Sequence, residues 1–393
     1  MPDSQLTSDQ KSLQSPWPES PGQPKHEQLR DYLVSQIESG QLGAGEALPS
    51  EHRLAESLGI ARSTVRQALA TLERAGVVRR IHGKGTYIHE QARQRLKKGQ
   101  DLFALIVPET AAGFYPSLQV SFEGSASTRH TQVIVCNSNN EIDKQGNSIL
   151  QLMDLHVAGV AIVPTTYPET PTFHIRQLHE RGIPVVCCSR PVPNIQTPLL
   201  AIPFEKAGEL AGELIRQKGH QQVAFFCGFE SAAGRSYEAG FRKGLGARIQ
   251  PEVYFGTTTT PEVGLQEKQV EAELHRLLSK ETPPTAIFAT FDSYCEQIYL
   301  LLNRMGLRIP EDISLVSLGG TRRQGALANR LTAITVDEIR MGSDAIELLE
   351  QMRVGKIALD ANETRMMPLG IHAGQTLAEP TPRARAVTQQ RSD

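Results

Sequence analysis

A series of short, mostly apolar runs punctuates the chain between residues 102 and 337: LFALIVP (102–108), TQVIVCN (131–137), VAGVAIVP (157–164), IPVVCCS (183–189), QVAFFCG (222–228), TAIFAT (285–290), ISLVSLG (313–319) and LTAITVD (331–337). Most are near-continuously apolar, the pattern of parallel strands covered on both faces. Amphipathic stretches such as EKAGELAGELIRQKG (205–219) and DEIRMGSDAIELLEQMRVG (337–355) fit between them as helices. This alternation predicts an open α/β architecture split into two lobes.

The chain before residue 100 is patterned differently. In LPSEHRLAESLGIARSTVRQAL, Ser50 is placed to cap a helix, Glu51 sits in its first turn and Gly59 stops it. Ile60 and Ala61 make a tight connection. The next helix begins at Arg62-Ser63, with Ser63 as its expected cap and Val65, Ala68, Leu69 and Leu72 as its buried stripe. Two helices joined this way predict a helix-turn-helix. VVRRI (77–81), the turn HGKG (82–85) and TYI (86–88) then read as a hairpin with a basic tip.

Composition adds domain limits. A length of 393 residues predicts two or three domains, and 39% hydrophobic, 21% charged and 5% aromatic residues are ordinary for a globular protein. Residues 1–24 and 380–393 are polar and aperiodic and are expected to be disordered tails. Residues 89–100, including QARQRLKKGQ, suit a linker or equally the last turn of a helix leaving the first module. The lack of an apolar signal segment or membrane-length run predicts a cytoplasmic protein, and five irregularly spaced cysteines fit a reducing compartment.

The net charge of −2 conceals an asymmetry. Residues 25–98 hold 13 Lys+Arg against 8 Asp+Glu, whereas residues 99–393 hold 27 against 32. A basic module on a mildly acidic body calls for an anionic partner at one end. The second helix supplies the chemistry: Arg62, Ser63, Thr64, Arg66 and Gln67 gather at its N-terminal end, which in this motif enters the major groove. Arginine forks suit guanine edges and phosphates, while hydroxyls and the helix terminus suit phosphate oxygens. The bland alternative, a capped helix with solvated arginines, loses weight beside the basic hairpin, where His82, Gly83 and Lys84 are placed to reach the backbone or minor groove.

These residues, LPSE…LAESLGIARSTVRQAL..LERAGVVRRIHGKGTYI, resemble the DNA-binding domain of the GntR family of bacterial transcription regulators over residues 25–88. The resemblance implies a winged helix that binds double-stranded operator DNA as a homodimer. Its contacts carry over onto Arg62, Ser63, Thr64, Arg66, His82 and Gly83. His52 stands where the family usually has Arg, with Arg53 following, and both are candidate contacts.

In the rest of the chain no HExxH, GxSxG, Walker-type or strand-associated GxGxxG pattern appears, so no enzyme, cofactor or metal is expected. His174 and His179 are five apart, off a shared helix face, and Cys187-Cys188 reads as a pair of core thiols. Instead, RQKGHQQVAFFCG, GRSYEAGFRKGL, PPTAIFATFDSYCEQIYLLLNRMGLRIPEDISLVSLGG and LTAITVDEIRMGSDAIELL resemble the effector domain of LacI-type regulators and periplasmic sugar-binding proteins. The resemblance covers residues 101–379. It implies a type I periplasmic-binding-protein-like α/β domain with a ligand between two lobes and three crossovers, expected near 201–203, 321–327 and 366–371. Head and body together resemble the group of arabinose-responsive regulators.

By position, the resemblance places Phe114, Tyr115, Arg190, Arg235, Phe291 and Asp292 at a small-molecule, sugar-like effector. Phe114 has a core alternative and Asp292 a helix-capping one. Three departures stand out: Gly319-Gly320 replaces paired aspartates, Tyr237 replaces an arginine with Arg235 displaced by two positions, and Phe291 replaces an asparagine. They point to a ligand less hydroxylated than a plain sugar, or to different contacts. The expected function is a cytoplasmic repressor controlled by such an effector. The alternatives are a body that only dimerises and a solute-binding protein.

Overall fold

The computed structural model describes residues 24–81, 83–90, 92, 96, 102–111, 113–166, 168–256, 265–323 and 325–381, with the side chains of 265 and 266 excepted. The chain divides into two compact units at residues 101 and 102.

The first unit holds α1 (Lys25–Ser39), α2 (Glu51–Leu58), α3 (Arg62–Arg74), β1 (Val78–Ile81) and β2 (Gly85–Ile88). Leu29, Leu33 and Ile37 recur every fourth residue on α1 and meet the α2 residues Leu54 and Leu58 and the α3 stripe Val65, Ala68, Leu69 and Leu72 in one core. Each fully buried Leu, Val or Ile contributes about 1.5–3 kcal/mol. The hairpin pairs antiparallel, Val78 opposite Ile88 and Arg80 opposite Thr86. Its outer edge is joined by the segment before α2: Leu48 N–H donates to Thr86 (2.8 Å) and Ile88 N–H to Glu46 (2.8 Å). Ala92 and Leu96 have helical backbone and lie buried in this core, favouring the helical alternative for the stretch after the hairpin.

The second unit contains two six-stranded sheets. The N-terminal lobe is built on β3 (Leu102–Val107), β4 (Gln132–Asn137), β5 (Gly159–Ile162), β6 (Val185–Ser189), β7 (Leu199–Ala201) and β13 (Thr364–Met366), in the order β13-β7-β6-β5-β3-β4. The C-terminal lobe uses β8 (Val223–Cys227), β9 (Glu252–Phe255), β10 (Ala286–Ala289), β11 (Ser314–Gly320), β12 (Thr332–Val336) and β14 (Leu369–His372), in the order β14-β12-β11-β10-β8-β9. All pairings are parallel except β12 with β14. The apolar runs follow from burial on both faces: Phe103, Leu105 and Val107 of β3 join one core, Ala104 and Ile106 the opposite one.

Helices α4 (Tyr115–Ser127), α5 (Ile142–Leu155) and α6 (Thr172–Glu180) serve the first lobe. Helices α7 (Phe204–Gln217), α8 (Ala232–Leu245), α9 (Leu265–Leu278), α10 (Asp292–Arg304) and α11 (Ala326–Arg330) serve the second. The last helix, α12 (Glu338–Arg353), leaves β12 of the second lobe and packs Met341, Ala345, Ile346 and Leu349 into the first-lobe core.

The chain therefore crosses between lobes after β7, between β12 and α12, and between β13 and β14. The middle crossover corrects the expectation at 321–327. That loop stays in the second lobe, because the next strand, β12, pairs with β11 in the same sheet.

Helices α7 and α8 pack backbone against backbone. A Cβ on Gly240 would overlap the Glu205 carbonyl, and one on Gly208 the Tyr237 carbonyl. Gly240→Ala is expected to force the helices apart and cost about 1–3 kcal/mol. Urea denaturation of the full chain checks this; an unchanged midpoint would show that the contact carries no such constraint.

Candidate functional site

Two places gather the chemistry. In the head, Ser50 caps α2 by accepting from Arg53 N–H (3.3 Å), and Gly59 ends it in the left-handed region (φ 64°). The N-cap of helix α3 lies two residues earlier than expected, at Ala61, with no side-chain capping bond; Ser63 sits in the first turn rather than at the cap. The uncapped end leaves first-turn N–H groups available to an anion. Around it, Arg62, Ser63, Arg66 and Gln67 are exposed on one face and Thr64 is half-buried, while His52 and Arg53 are exposed at the start of α2. At the hairpin tip Gly83 has φ 72°, Lys84 is exposed, and Tyr87 donates its hydroxyl to Lys84 O (3.2 Å). His82 lies outside the described residues.

Sequence reasoning missed the charges that orient this face. The Glu51 carboxylate accepts from Arg66 of α3 (3.3 Å) and Arg80 of β1 (3.2 Å), and Arg80 also reaches Glu73 (3.3 Å). Glu51 was legible only as a first-turn acid. Exposed pairs of this kind are worth about 0–1 kcal/mol each, so they aim the arginines more than they stabilise the fold.

In the body, three groups converge at the carboxyl ends of the strands, where α/β folds place ligands. Arg190 follows β6, Tyr115 opens α4, and Tyr237 comes from α8 of the other lobe. The Arg190 guanidinium lies beside the Tyr115 hydroxyl and close enough to Tyr237 to act on its charge. Burial pushes both phenols above their usual range, so both remain neutral hydroxyls; Arg190 opposes the shift. The Arg190 Nε is buried with no hydrogen-bond partner. Tyr237 was legible only as the replacement of an arginine.

The backbone is strained beside this cluster. Ser189, immediately before Arg190, has φ 74°, and Phe291, half-buried at the N-cap of α10, has φ 67° and ψ 136°. Such conformations in non-glycine residues cost about 1–3 kcal/mol each and concentrate at functional sites.

Three expected contacts have other employment. Phe114 is 3% exposed and packs in the first-lobe core, its ring 4.6 Å from that of Tyr115. Arg235 is half exposed, stacked 4.3 Å over Phe255, and its donors are taken by Glu230 (2.9 Å) and Glu238 (2.8 Å). Asp292 does not cap its helix, and both of its oxygens are already engaged. Its carboxylate is forked by Arg323, with Nη2 donating to Oδ1 (2.8 Å) and Nη1 to Oδ2, and it also accepts from Ser317 (2.6 Å). Burial raises the Asp292 carboxyl, while Arg323 and Ser317 pull it down.

The Gly319-Gly320 pair has a steric reason. A Cβ on Gly319 would overlap both the Asp292 carboxylate and the Arg323 guanidinium, and one on Gly320 would lie 2.6 Å from the Glu338 carboxyl carbon. Glu338 is fully buried and accepts from Thr321 N–H (2.7 Å), Thr321 Oγ1 (2.9 Å) and Arg322 N–H (3.0 Å). A carboxylate at either glycine would collide with one already present.

Cys187 and Cys188 are fully buried, and burial pushes the Cys187 thiol up to about 12 and Cys188 higher still, so both are inert core residues. Among the described residues no group of His, Cys, Asp or Glu is arranged to hold a metal ion, and no helix is long and apolar enough to cross a membrane.

Residues 25–88 match the family model for bacterial regulatory proteins of the gntR family, and residues 212–377 match that for periplasmic binding protein-like domains. The chain is 27% identical over 337 residues to an arabinose metabolism transcriptional repressor of Geobacillus stearothermophilus, covering 84% of this chain and 91% of that protein. Among solved structures, the transcription regulator CcpA of Lactococcus lactis superposes with a TM-score of 0.59 at 18% identity, covering 70% of this chain and 98% of that one. A LacI family regulator of Enterococcus faecium with bound ribose superposes with a TM-score of 0.58 at 19% identity, covering 71% and 100%. These structural likenesses concern the fold of the body.

Arg323→Met is expected to strand the Asp292 carboxylate and destabilise the body by about 3–5 kcal/mol, with Asp292→Asn/Arg323→Met losing much less. Chemical denaturation of both variants checks the coupling. Equal losses would mean that the pair does not act as a unit.

Proposed function

We propose that this chain, a DNA-binding transcription regulator that joins a gntR-family head to a periplasmic-binding-protein-like body, represses its target genes as a cytoplasmic homodimer until a small molecule enters the cleft of the body. The observation that carries the DNA reading is the uncapped N-terminus of α3, with Arg62, Ser63, Arg66 and Gln67 exposed around it. Arg62, Ser63, Thr64, Arg66 and Gln67 are read as major-groove contacts. His52 and Arg53 serve the flanking backbone, and His82, Gly83 and Lys84 the adjoining groove. A twofold dimer presents two such helices to successive major grooves of a near-palindromic operator.

In the cleft, Tyr115, Arg190 and Phe291 are the expected contacts retained, and Tyr237 joins them. Buried polar atoms without partners favour a ligand site over a body that only dimerises. Besides Arg190 Nε they include Thr290 Oγ1 and Tyr294 Oη, at the end of β10 and in the first turn of α10. The gntR-type head speaks against a solute-binding protein. The effector acts by binding one lobe arrangement better than the other; without that difference it shifts nothing.

Fluorescence anisotropy on genomic fragments selected by the full chain tests the DNA contacts. Affinity is expected to fall steeply with salt as phosphate neutralisation releases counterions. Arg66→Ala is expected to cost about 1–3 kcal/mol. A dissociation constant equal to that of the parent would remove Arg66 from the interface.

A further inference from the structure

We propose that the cleft accepts an anionic effector, one carrying a carboxylate or a phosphate group, and that Arg190 receives the charge. The inference rests on reading the cleft as the effector site and deepens it by naming a chemical class.

A guanidinium is donor-only, and Arg190 is in no ion pair among the described residues, with Nε buried and unpartnered. Two neutral tyrosine hydroxyls stand around it, one from each lobe. Arg190 is half-buried; a partly desolvated cation without a counter-charge is costly, and a planar fork matches carboxylate or phosphate oxygens two at a time.

Most of the carboxylate oxygens nearby are engaged. Both oxygens of Asp292 are taken by Arg323 and Ser317, and Glu338 is held by Thr321 and Arg322. Positions 319 and 320 carry no side chain. Glu109, the carboxylate that acts on Tyr115, accepts the N–H groups of Thr110 (2.7 Å) and Ala111 (2.8 Å) through one oxygen. Glu230 and Glu238 are bound by Arg235, and Glu296 faces the Asp292–Arg323 pair.

A neutral polyol needs acceptors as much as donors, since each hydroxyl proton buried without an acceptor costs about 1–3 kcal/mol. An anion needs donors only. Tyr237 belongs to a second-lobe apolar cluster against which Phe204 and Phe291 pack, offering apolar contact for the rest of the molecule; Phe204 and Tyr237 meet edge to face at 5.1 Å.

The test is isothermal titration and thermal shift of the full chain with probes matched in carbon skeleton: arabinose, arabinonate and arabinose 5-phosphate, and glucose, glucuronate and glucose 6-phosphate. Inorganic phosphate serves as a bare-anion control. The proposal expects at least one carboxylate or phosphate to bind at least tenfold more tightly than its neutral parent; the two anion series separate the carboxylate source from the phosphate source. Arg190→Gln should weaken that anion at least tenfold. Arg190→Lys, which keeps the charge without the fork, should fall between and covers the case in which Gln does not fold.

Neutral sugars binding as tightly as their anions, no anion binding at all, or anion affinity untouched in either Arg190 variant would overturn it. Operator binding measured on the same preparations separates the two readings. Release of operator by a neutral sugar would sink the anion assignment and keep the regulator, whereas tight anion binding without any operator binding would do the reverse.

Discussion

At the carboxyl end of the second-lobe sheet, Asp292 and Arg323 meet out of water, with side chains 13% and 4% exposed. Taking two charges out of solvent costs several kcal/mol per ion, recovered only through close geometry and satisfied hydrogen bonds. Here the remaining bonds are made, by Ser317 to the carboxylate and by the guanidinium to the Ala328 carbonyl. The pair imposes conditions on its neighbours. Residue 319 must lack a side chain, and the loop carrying Arg323 must be fixed at its root, which Glu338 does from the crossover into the first lobe. One chain of charge-assisted contacts thus runs from the cleft wall to a segment connecting the lobes.

The consequence is that Asp292 and Glu338 are engaged within the second lobe and its crossover, while Arg190 of the first lobe has a buried Nε without a hydrogen-bond partner. Strained backbone at Ser189 and Phe291 flanks the cleft from both lobes. In the head the logic is reversed: its arginines are exposed and only loosely tethered by Glu51 and Glu73, so phosphate can replace the carboxylates at little cost. The body holds its charges rigidly in a dry site, while the head keeps its own solvated and exchangeable.

The sequence was most informative where burial is uniform. Strands such as β3, β6 and β10 are apolar along their length because helices cover both faces, and they stand out as runs. The strands β7, β9, β13 and β14 went unread. β9, β13 and β14 are three or four residues long, half-buried or exposed at a sheet edge, and carry no apolar run to detect, while β7 is apolar but only three residues long. The middle crossover, placed at 321–327 by the resemblance, lies later because parallel pairing of β11 with β12 holds that loop in one lobe. Local rules also misjudged Ser63, since the tight turn at Ile60-Ala61 starts α3 before it.

Side-chain roles in the cleft were the least legible. Residue type and position put Phe114, Arg235 and Asp292 at the ligand, yet their partners are distant in sequence or fixed only by packing. Arg323 lies 31 residues from Asp292, and nothing near residue 292 announces it. Tyr237 and Arg190, from different lobes, come together only through the fold.

Regulation by this chain requires the head to engage duplex DNA through paired recognition helices. Footprinting of the full chain on genomic fragments it selects tests this most directly. The expected result is two protected half-sites whose centres lie about one helical turn, roughly 34 Å, or a whole multiple of it apart. Uniform protection with no preferred fragment, even at low salt, would contradict it.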